Sequence, residues 1–211
     1  MNYKIQHIPF SEGKRPGIKI NPKYITIHST ANEKSSAQNE RDWLVNPSNN
    51  RIASWHIAVD EKEIIEAIPL DEIAYHAGDK RGNNLSIGIE ICESGNREKT
   101  LKNAAILVSD ILYRKGWDID RMRRHFDWSG KNCPRIFNYN NWEGWTKFKK
   151  DVSLELSKMN ASTWAKTPWD WGVKEGIIDG KRPKDFATRE EVITIIYRFK
   201  NKIENIKNNK L

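Results

Sequence analysis

Leu85-Ser86-Ile87-Gly88-Ile89-Glu90-Ile91 places its side chains alternately on two faces of a pleated ribbon. Ile87, Ile89 and Ile91 share one face, and Gly88, Glu90 and Cys92 share the other. Isoleucines at period two predict a strand with one buried face. Glu90 is the odd member: opposite an apolar face it is either simply wet or held for chemistry. Gly88, lacking a side chain, is expected to leave room for a substrate beside it. Upstream, Tyr24-Ile25-Thr26-Ile27-His28 also predicts a strand, followed by a loop at Ser29–Asn32 and a short helix over 37–44. Ser54 to Val59 predicts another strand, which turns through Asp60-Glu61-Lys62 into a third over 63–68, a hairpin. Downstream, apolar residues at helical spacing predict a helix over 101–114, stopped by Lys115-Gly116. An irregular stretch from Arg123 through Pro134 precedes a second amphipathic helix over 142–159. A hairpin followed by strands mixed with helices predicts an α/β fold, with a mixed central β-sheet flanked by helices.

The pattern changes near Met159. Asn160-Ala161-Ser162-Thr163 is small and polar, a short helix is expected over 169–175, and Gly176-Ile177-Ile178-Asp179-Gly180 forms a turn. Thr188-Arg189-Glu190-Glu191 has the form of a capping box ahead of Val192-Ile193 and Ile195-Ile196. The expected domains are therefore residues 1–158 and a small helical domain, 159–211. The second is too small to bury a large core, so it docks on the first or pairs with another copy in a homodimer. Residues 201–211, rich in lysine and asparagine, are expected to fray.

The 211 residues carry a formal charge of +8, which favours anionic partners: nucleic acid, acidic lipid or acidic wall polymer. The chain has no RNA-binding signature and no paired C-x-x-C spacing, which argues against nucleic acid. No stretch reaches the roughly 20 apolar residues of a membrane span, which argues against a membrane partner. The two cysteines, Cys92 and Cys133, cannot make a disulfide framework. Met1 to His7 lacks the apolar run of a signal peptide. The expectation is a chain made in the cytoplasm that reaches any outside substrate by another route. Nine tryptophans suit sugar- and peptide-binding surfaces as well as cores.

Five histidines are present: His7, His28, His56, His76 and His125. His28 closes a strand, where catalytic groups commonly project. His125 is followed by Cys133 on a loop short enough to bring an imidazole and a thiolate to one ion. Two histidines and one cysteine suit zinc and leave a fourth position open for water. Beside such an ion Glu90 would serve as general base. The residues alone leave any pair of the five histidines open as ligands.

From about Pro22 to Phe148 the chain resembles the zinc-dependent N-acetylmuramoyl-L-alanine amidases of phage endolysins and bacterial autolysins, relatives of the animal peptidoglycan recognition proteins. The matching pieces are Ile27-His28-Ser29-Thr30, Ser54-Trp55-His56, Ala74-Tyr75-His76-Ala77-Gly78, Asn84-Leu85-Ser86-Ile87-Gly88-Ile89-Glu90, and His125 through Pro134. They follow in the family's order. The resemblance implies one zinc ion bound by His28, His125 and Cys133, with Glu90 as the catalytic glutamate and Lys131 as the basic residue near the carbonyl. Trp55 stands where some relatives have a tyrosine; it has no ionisable hydroxyl, so proton handling falls to Glu90. His56, His76 and Asn84, with Trp55, match positions that line or support the cleft and are assigned to substrate binding. Asp127 is expected to orient His125. The implied substrate is cell-wall peptidoglycan, cut between N-acetylmuramic acid and L-alanine by a phage or prophage endolysin of a Gram-positive host. The alternative is a recognition module that binds peptidoglycan without cutting it. The tail from Trp164 to Phe199 resembles a single S-layer-homology-like unit, which implies binding to secondary wall polymers.

Overall fold

Six strands form one mixed sheet in the computed structural model, which describes residues 2–159, 165–179, 183 and 187–208. The strands are β1 (Asn2–Ile5), β2 (Tyr24–Ser29), β3 (Ile57–Val59), β4 (Glu63–Glu66), β5 (Ser86–Ile91) and β6 (Met122–Arg124). Their spatial order is β1-β4-β3-β5-β2-β6. Only the β3–β4 hairpin is antiparallel; the other four pairings are parallel. The helices are α1 (Ala37–Leu44), α2 (Lys80–Leu85), α3 (Arg97–Lys115), α4 (Phe126–Ser129), α5 (Glu143–Met159), α6 (Lys166–Lys174) and α7 (Arg189–Asn208). The mixed sheet flanked by helices is the fold class the strand and helix pattern predicts.

The parallel register of β2 and β5 pairs Ile25 with Ile87 and Ile27 with Ile89, and all four are fully buried. On the opposite face the same register pairs Thr26 with Gly88 and His28 with Glu90. Ala58 of β3 continues that second face beside Glu90. α1 closes part of it: Ala37 packs in one apolar cluster with Ala58, Ile65 and Cys92. Its first turn is fixed by Ser36, whose hydroxyl accepts from the Asn39 amide while the Asn39 side chain reaches back. α3 packs against β3 and β5 with a stripe that includes Ala104, Leu107, Val108 and Ile111, all buried. It ends, as expected, at Gly116 in the left-handed conformation (φ 63°).

Four elements were not foreseen. β1 is mostly exposed and has no burial alternation to read. β6 is an edge strand whose one buried residue, Met122, precedes two arginines, so its sequence reads as loop. α4 is four residues long. α2 carries Gly82 and two asparagines, poor helix formers; a Cβ at Gly82 would stand 2.5 Å from that of Ala77.

The chain divides into two units, Met1–Ser153 and Leu154–Leu211, a division that falls inside α5. In the second unit Thr188 and Glu191 make the expected capping box, with Glu191 N donating to the Thr188 hydroxyl at 3.1 Å and Thr188 N to the Glu191 carboxylate at 2.8 Å. α7 does not fray at Asn201; it runs to Asn208, with Lys202 paired to Glu175 and Lys200 to Glu204. The expected linker Asn160–Thr163, with Trp164 and Gly180 of the tail motif, lies outside the described residues. Among the described residues no helix is long and apolar enough to cross a membrane.

Gly88 does not make room for a substrate. A Cβ built there would lie 2.5 Å from Cγ of His76, so the imidazole of His76 fills the space. Gly88→Ala is therefore expected to cost about 1–3 kcal/mol, the range for overpacking a close-packed site, measured by urea denaturation. An unchanged midpoint would mean that the ring can move aside freely.

Candidate metal centre and cleft

The β2–β5 register delivers His28 and Glu90 side by side at the carboxyl end of the sheet. His125 follows β6, and its amide donates to the Ile27 carbonyl at 3.2 Å, which ties it to the strand that carries His28. The Phe126 amide then donates to the Cys133 carbonyl at 3.0 Å, closing the intervening loop and turning Cys133 back toward His125. His28 Nδ1 lies 3.0 Å from His125 Nδ1 and 3.7 Å from Cys133 Sγ. One ligand atom from each of the three residues falls within 4.8 Å of the others, and all three residues are buried.

Hydrogen bonds decide which nitrogens carry protons. His76 Nε2 faces the Ser86 carbonyl at 3.2 Å, an acceptor, so it bears hydrogen and His76 Nδ1 is bare. That bare nitrogen stands 3.0 Å from His28 Nε2, which must donate to it. The lone pair of His28 is thereby left on Nδ1, the atom that faces His125 and Cys133. His125 is set in the same way: it bonds the Ala77 backbone, and its Nε2 is the atom beside the Gly78 turn, so its Nδ1 faces His28 bare. Two imidazole lone pairs converge at 3.0 Å beside a thiol, a donor set that suits a nitrogen- and sulfur-seeking metal ion.

Charge in the cleft agrees. Burial holds His28 well below the ordinary imidazole value, with further lowering from His76, His125 and Lys131. Burial, helped by Lys131, lowers His125 to about 4. Burial, helped by His56, lowers His76 to about 3. All three are neutral at neutral pH, as ligand and relay roles require. Burial pushes the Cys133 thiol up to about 12, so a bound cation is what would make it a thiolate.

Glu90 lines the same cleft, and its Oε2 is buried with no hydrogen-bond partner among the described residues. Burial, and secondarily Glu40, pushes its carboxyl up to about 8. Such a group is primed to hold and release a proton near neutrality, and a neighbouring cation would draw its pKa back down. Lys131 is exposed on the cleft wall. Trp55 also lines the cleft; its ring packs against two core clusters, and its Nε1 is buried without a hydrogen-bond partner among the described residues. The cavity these residues enclose measures about 700 Å³.

Three expectations need correction. His56 is fully buried and does not line the cleft: its Nε2 donates to the Glu72 carbonyl at 2.8 Å and its Nδ1 accepts from Gly88 N at 2.9 Å. It is a strut under His76, not a substrate contact. Asn84 does not line the cleft, and its amide donates to Lys80 O within its own helix. The neighbouring Asn83 supports the site, its Oδ1 accepting from the amides of His76 and Ala77 at 2.9 and 2.8 Å. Asp127 accepts from the Arg124 amide and guanidinium instead of bonding the His125 ring.

Sequence reading missed Glu93, whose local pattern gives no sign of its role. Its Oε1 accepts from Ala31 N at 2.9 Å and Arg135 Nε at 3.0 Å, and its Oε2 from Arg135 Nη2 at 2.6 Å. Arg135 N in turn donates to Ser29 Oγ at 3.1 Å. The carboxylate thus clamps the loop after His28 to the segment after Cys133.

Two measurements test this geometry. His76→Phe removes the acceptor that fixes the His28 tautomer and should weaken metal binding about 10–100-fold in a competitive chelator titration; unchanged affinity would dismiss the relay. Although burial alone would raise Glu93, its bonds to Arg135, Ala31 and Ser29 prevail and depress it below the ordinary 4.5. Its stabilisation is therefore complete above that value and is lost as pH falls through the depressed folded value. Glu93→Gln should flatten the acid limb of stability against pH; an unaltered limb would show that the clamp carries no weight.

Known proteins resemble this chain in sequence and fold. The chain is 44% identical over 150 residues to the N-acetylmuramoyl-L-alanine amidase CwlA of Bacillus subtilis (strain 168), covering 67% of this chain and 53% of that protein. It is 43% identical over 146 residues to the amidase XlyB of the same organism, covering 65% and 44%. The chain spans about half the length of these curated relatives. The catalytic domain of XlyA superposes with a TM-score of 0.66 at 37% identity, covering 72% of this chain and 99% of that one. A mutant endolysin from Bacillus subtilis gives 0.66 at 38% identity, covering 72% and 98%. Residues 18–136 match the family described as N-acetylmuramoyl-L-alanine amidase, and the span contains every strand and loop of the site described above except β1, so this chain belongs to that family.

Proposed function

We propose that this chain is a zinc-dependent hydrolase that cuts the amide bond between N-acetylmuramic acid and L-alanine in bacterial peptidoglycan. The observation that carries the reading is the convergence of His28 Nδ1, His125 Nδ1 and Cys133 Sγ in the cleft that Glu90 lines, its buried Oε2 without a hydrogen-bond partner among the described residues. His28, His125 and Cys133 would hold the zinc, whose Lewis acidity lowers the pKa of a water from 15.7 to roughly 7 and polarises a carbonyl. Glu90 Oε2 takes the proton of the attacking water and returns one to the departing amine of L-alanine. Lys131 Nζ donates to the oxygen that gains charge on the lactyl carbonyl; one such donor is worth roughly 3 kcal/mol. Trp55 and the His76 side of the cavity hold the substrate against these groups.

The complete ligand set and Glu90 stand against a recognition module that binds without cutting. An endolysin that meets the wall when a Gram-positive host is opened fits the solved relative described as an endolysin. Residues 159–211 are then the wall-anchoring part, as a unit for secondary wall polymers or as a dimer contact.

Glu90→Gln keeps the shape of the side chain and removes its basicity. Turnover on purified walls should fall roughly 10²–10⁴-fold while the metal content per chain stays at the parent level. Full activity in this variant would remove Glu90 from the chemistry; loss of metal as well would make it a ligand instead.

A further inference from the structure

Three consecutive residues just ahead of α5 take a left-handed backbone: Asn140 (φ 45°), Asn141 (φ 56°) and Trp142 (φ 68°). Asparagine visits this region with little strain because its short side chain bonds locally; a residue carrying an indole does not. The turn is imposed by packing on either side of it. A Cβ at Gly144 would stand 2.8 Å from Cα of Phe137, so the first turn of α5 lies directly on the segment that follows Cys133. Phe137 also stacks on Phe148 of the same helix, 4.8 Å between centroids, and both rings are buried. The chain must therefore reverse within the few residues between them. Held in that conformation, Trp142 reaches both chain neighbours of His125. The Arg124 guanidinium lies 4.3 Å from the centroid of its ring, and the Phe126 ring is 5.1 Å away. The same guanidinium donates to Asp127 Oδ1 from Nε at 3.0 Å and from Nη2 at 2.5 Å, while Asp127 Oδ2 accepts from the Arg124 amide at 2.7 Å. Arg124 and Asp127 thus close a loop of bonds across His125, and the indole braces it from outside. The Arg124 side chain is only 19% exposed, so its contact with the aromatic face is shielded from water, where such contacts are stronger.

We propose that Trp142 is a positioning residue for the metal centre: it grips the chain on both sides of His125 and so holds that imidazole toward His28 and Cys133. This rests on the zinc reading above. α4, which follows His125, is four residues long, too short a helix to hold its own direction, and an outside brace supplies the rigidity. A strained residue persists where its surroundings over-determine it, and here they press its ring onto the two neighbours of a ligand. The brace acts on the aim of one side chain, so its loss is read in the zinc affinity of the folded chain.

The test is a double-mutant cycle on the zinc affinity of the full chain, measured by competition with a chromogenic chelator, using Trp142→Leu, Arg124→Gln and the two together. Each single substitution should weaken zinc binding about tenfold, the lower end of the range for residues that orient a ligand from outside. The double variant should lose no more than either single one, because both remove the same brace. Trp142→Phe keeps an aromatic face at the same strained position and should recover most of the affinity. The d–d absorption of the cobalt(II)-loaded chain should shift in Trp142→Leu and return toward the parent spectrum in Trp142→Phe. Parent affinity in Trp142→Leu, additive losses in the double variant, or a Trp142→Phe chain as weak as Trp142→Leu overturns the brace. Should Trp142→Leu fail to fold, parent affinity in Arg124→Gln overturns it equally. If the parent chain binds no zinc, the metal reading itself has failed; parent affinity in every variant sinks the brace alone.

Discussion

The parallel register between β2 and β5 is the constraint on which the rest of this molecule depends. It sets Ile25 and Ile27 against Ile87 and Ile89 on a fully buried face, and by the same step sets His28 against Glu90 on the other. A slip of one residue would reverse every side chain, sending the isoleucines into the cleft and the reactive pair into the core. The hydrophobic energy of the isoleucine layer therefore fixes the position of the chemistry. β6 extends the same sheet beside β2 and places His125 next to Ile27, and the loop closed by Phe126 and Cys133 brings Cys133 to the same cluster.

Within that frame, backbone carbonyls settle the protonation pattern of four histidines. Ser86 O fixes His76, His76 fixes His28, the Ala77 backbone fixes His125, and Glu72 O fixes His56. Burial keeps all four imidazoles neutral, so each behaves as one donor and one acceptor with no choice of tautomer. A metal ion arriving at His28 and His125 meets lone pairs that are already aimed, which lowers the reorganisation needed to bind it.

Much of this was legible because His28 and Glu90 lie on regular strands. Alternation in β2 and β5 announced both strands and marked Glu90 as out of place, and the hairpin and α3 followed from period and turn chemistry. Motif order, not spacing physics, picked His28, His125 and Cys133 from among the candidates. What could not be read were interactions across long separations. Gly88 looked like space for a substrate because nothing near it in sequence names His76 as the ring that fills it. His56 and Asn84 were assigned to the cleft, yet one points into the sheet and the other back along α2, since motif membership does not say which way a side chain faces. Glu93 matters through a partner 42 positions away.

The most direct test of the central claim is digestion of purified Gram-positive walls with and without a zinc chelator, following new amino groups and new reducing ends. The account predicts new N-terminal alanine without reducing ends, abolished by the chelator and restored by zinc. Release that persists in full after the metal is stripped, or the appearance of reducing ends, would contradict it.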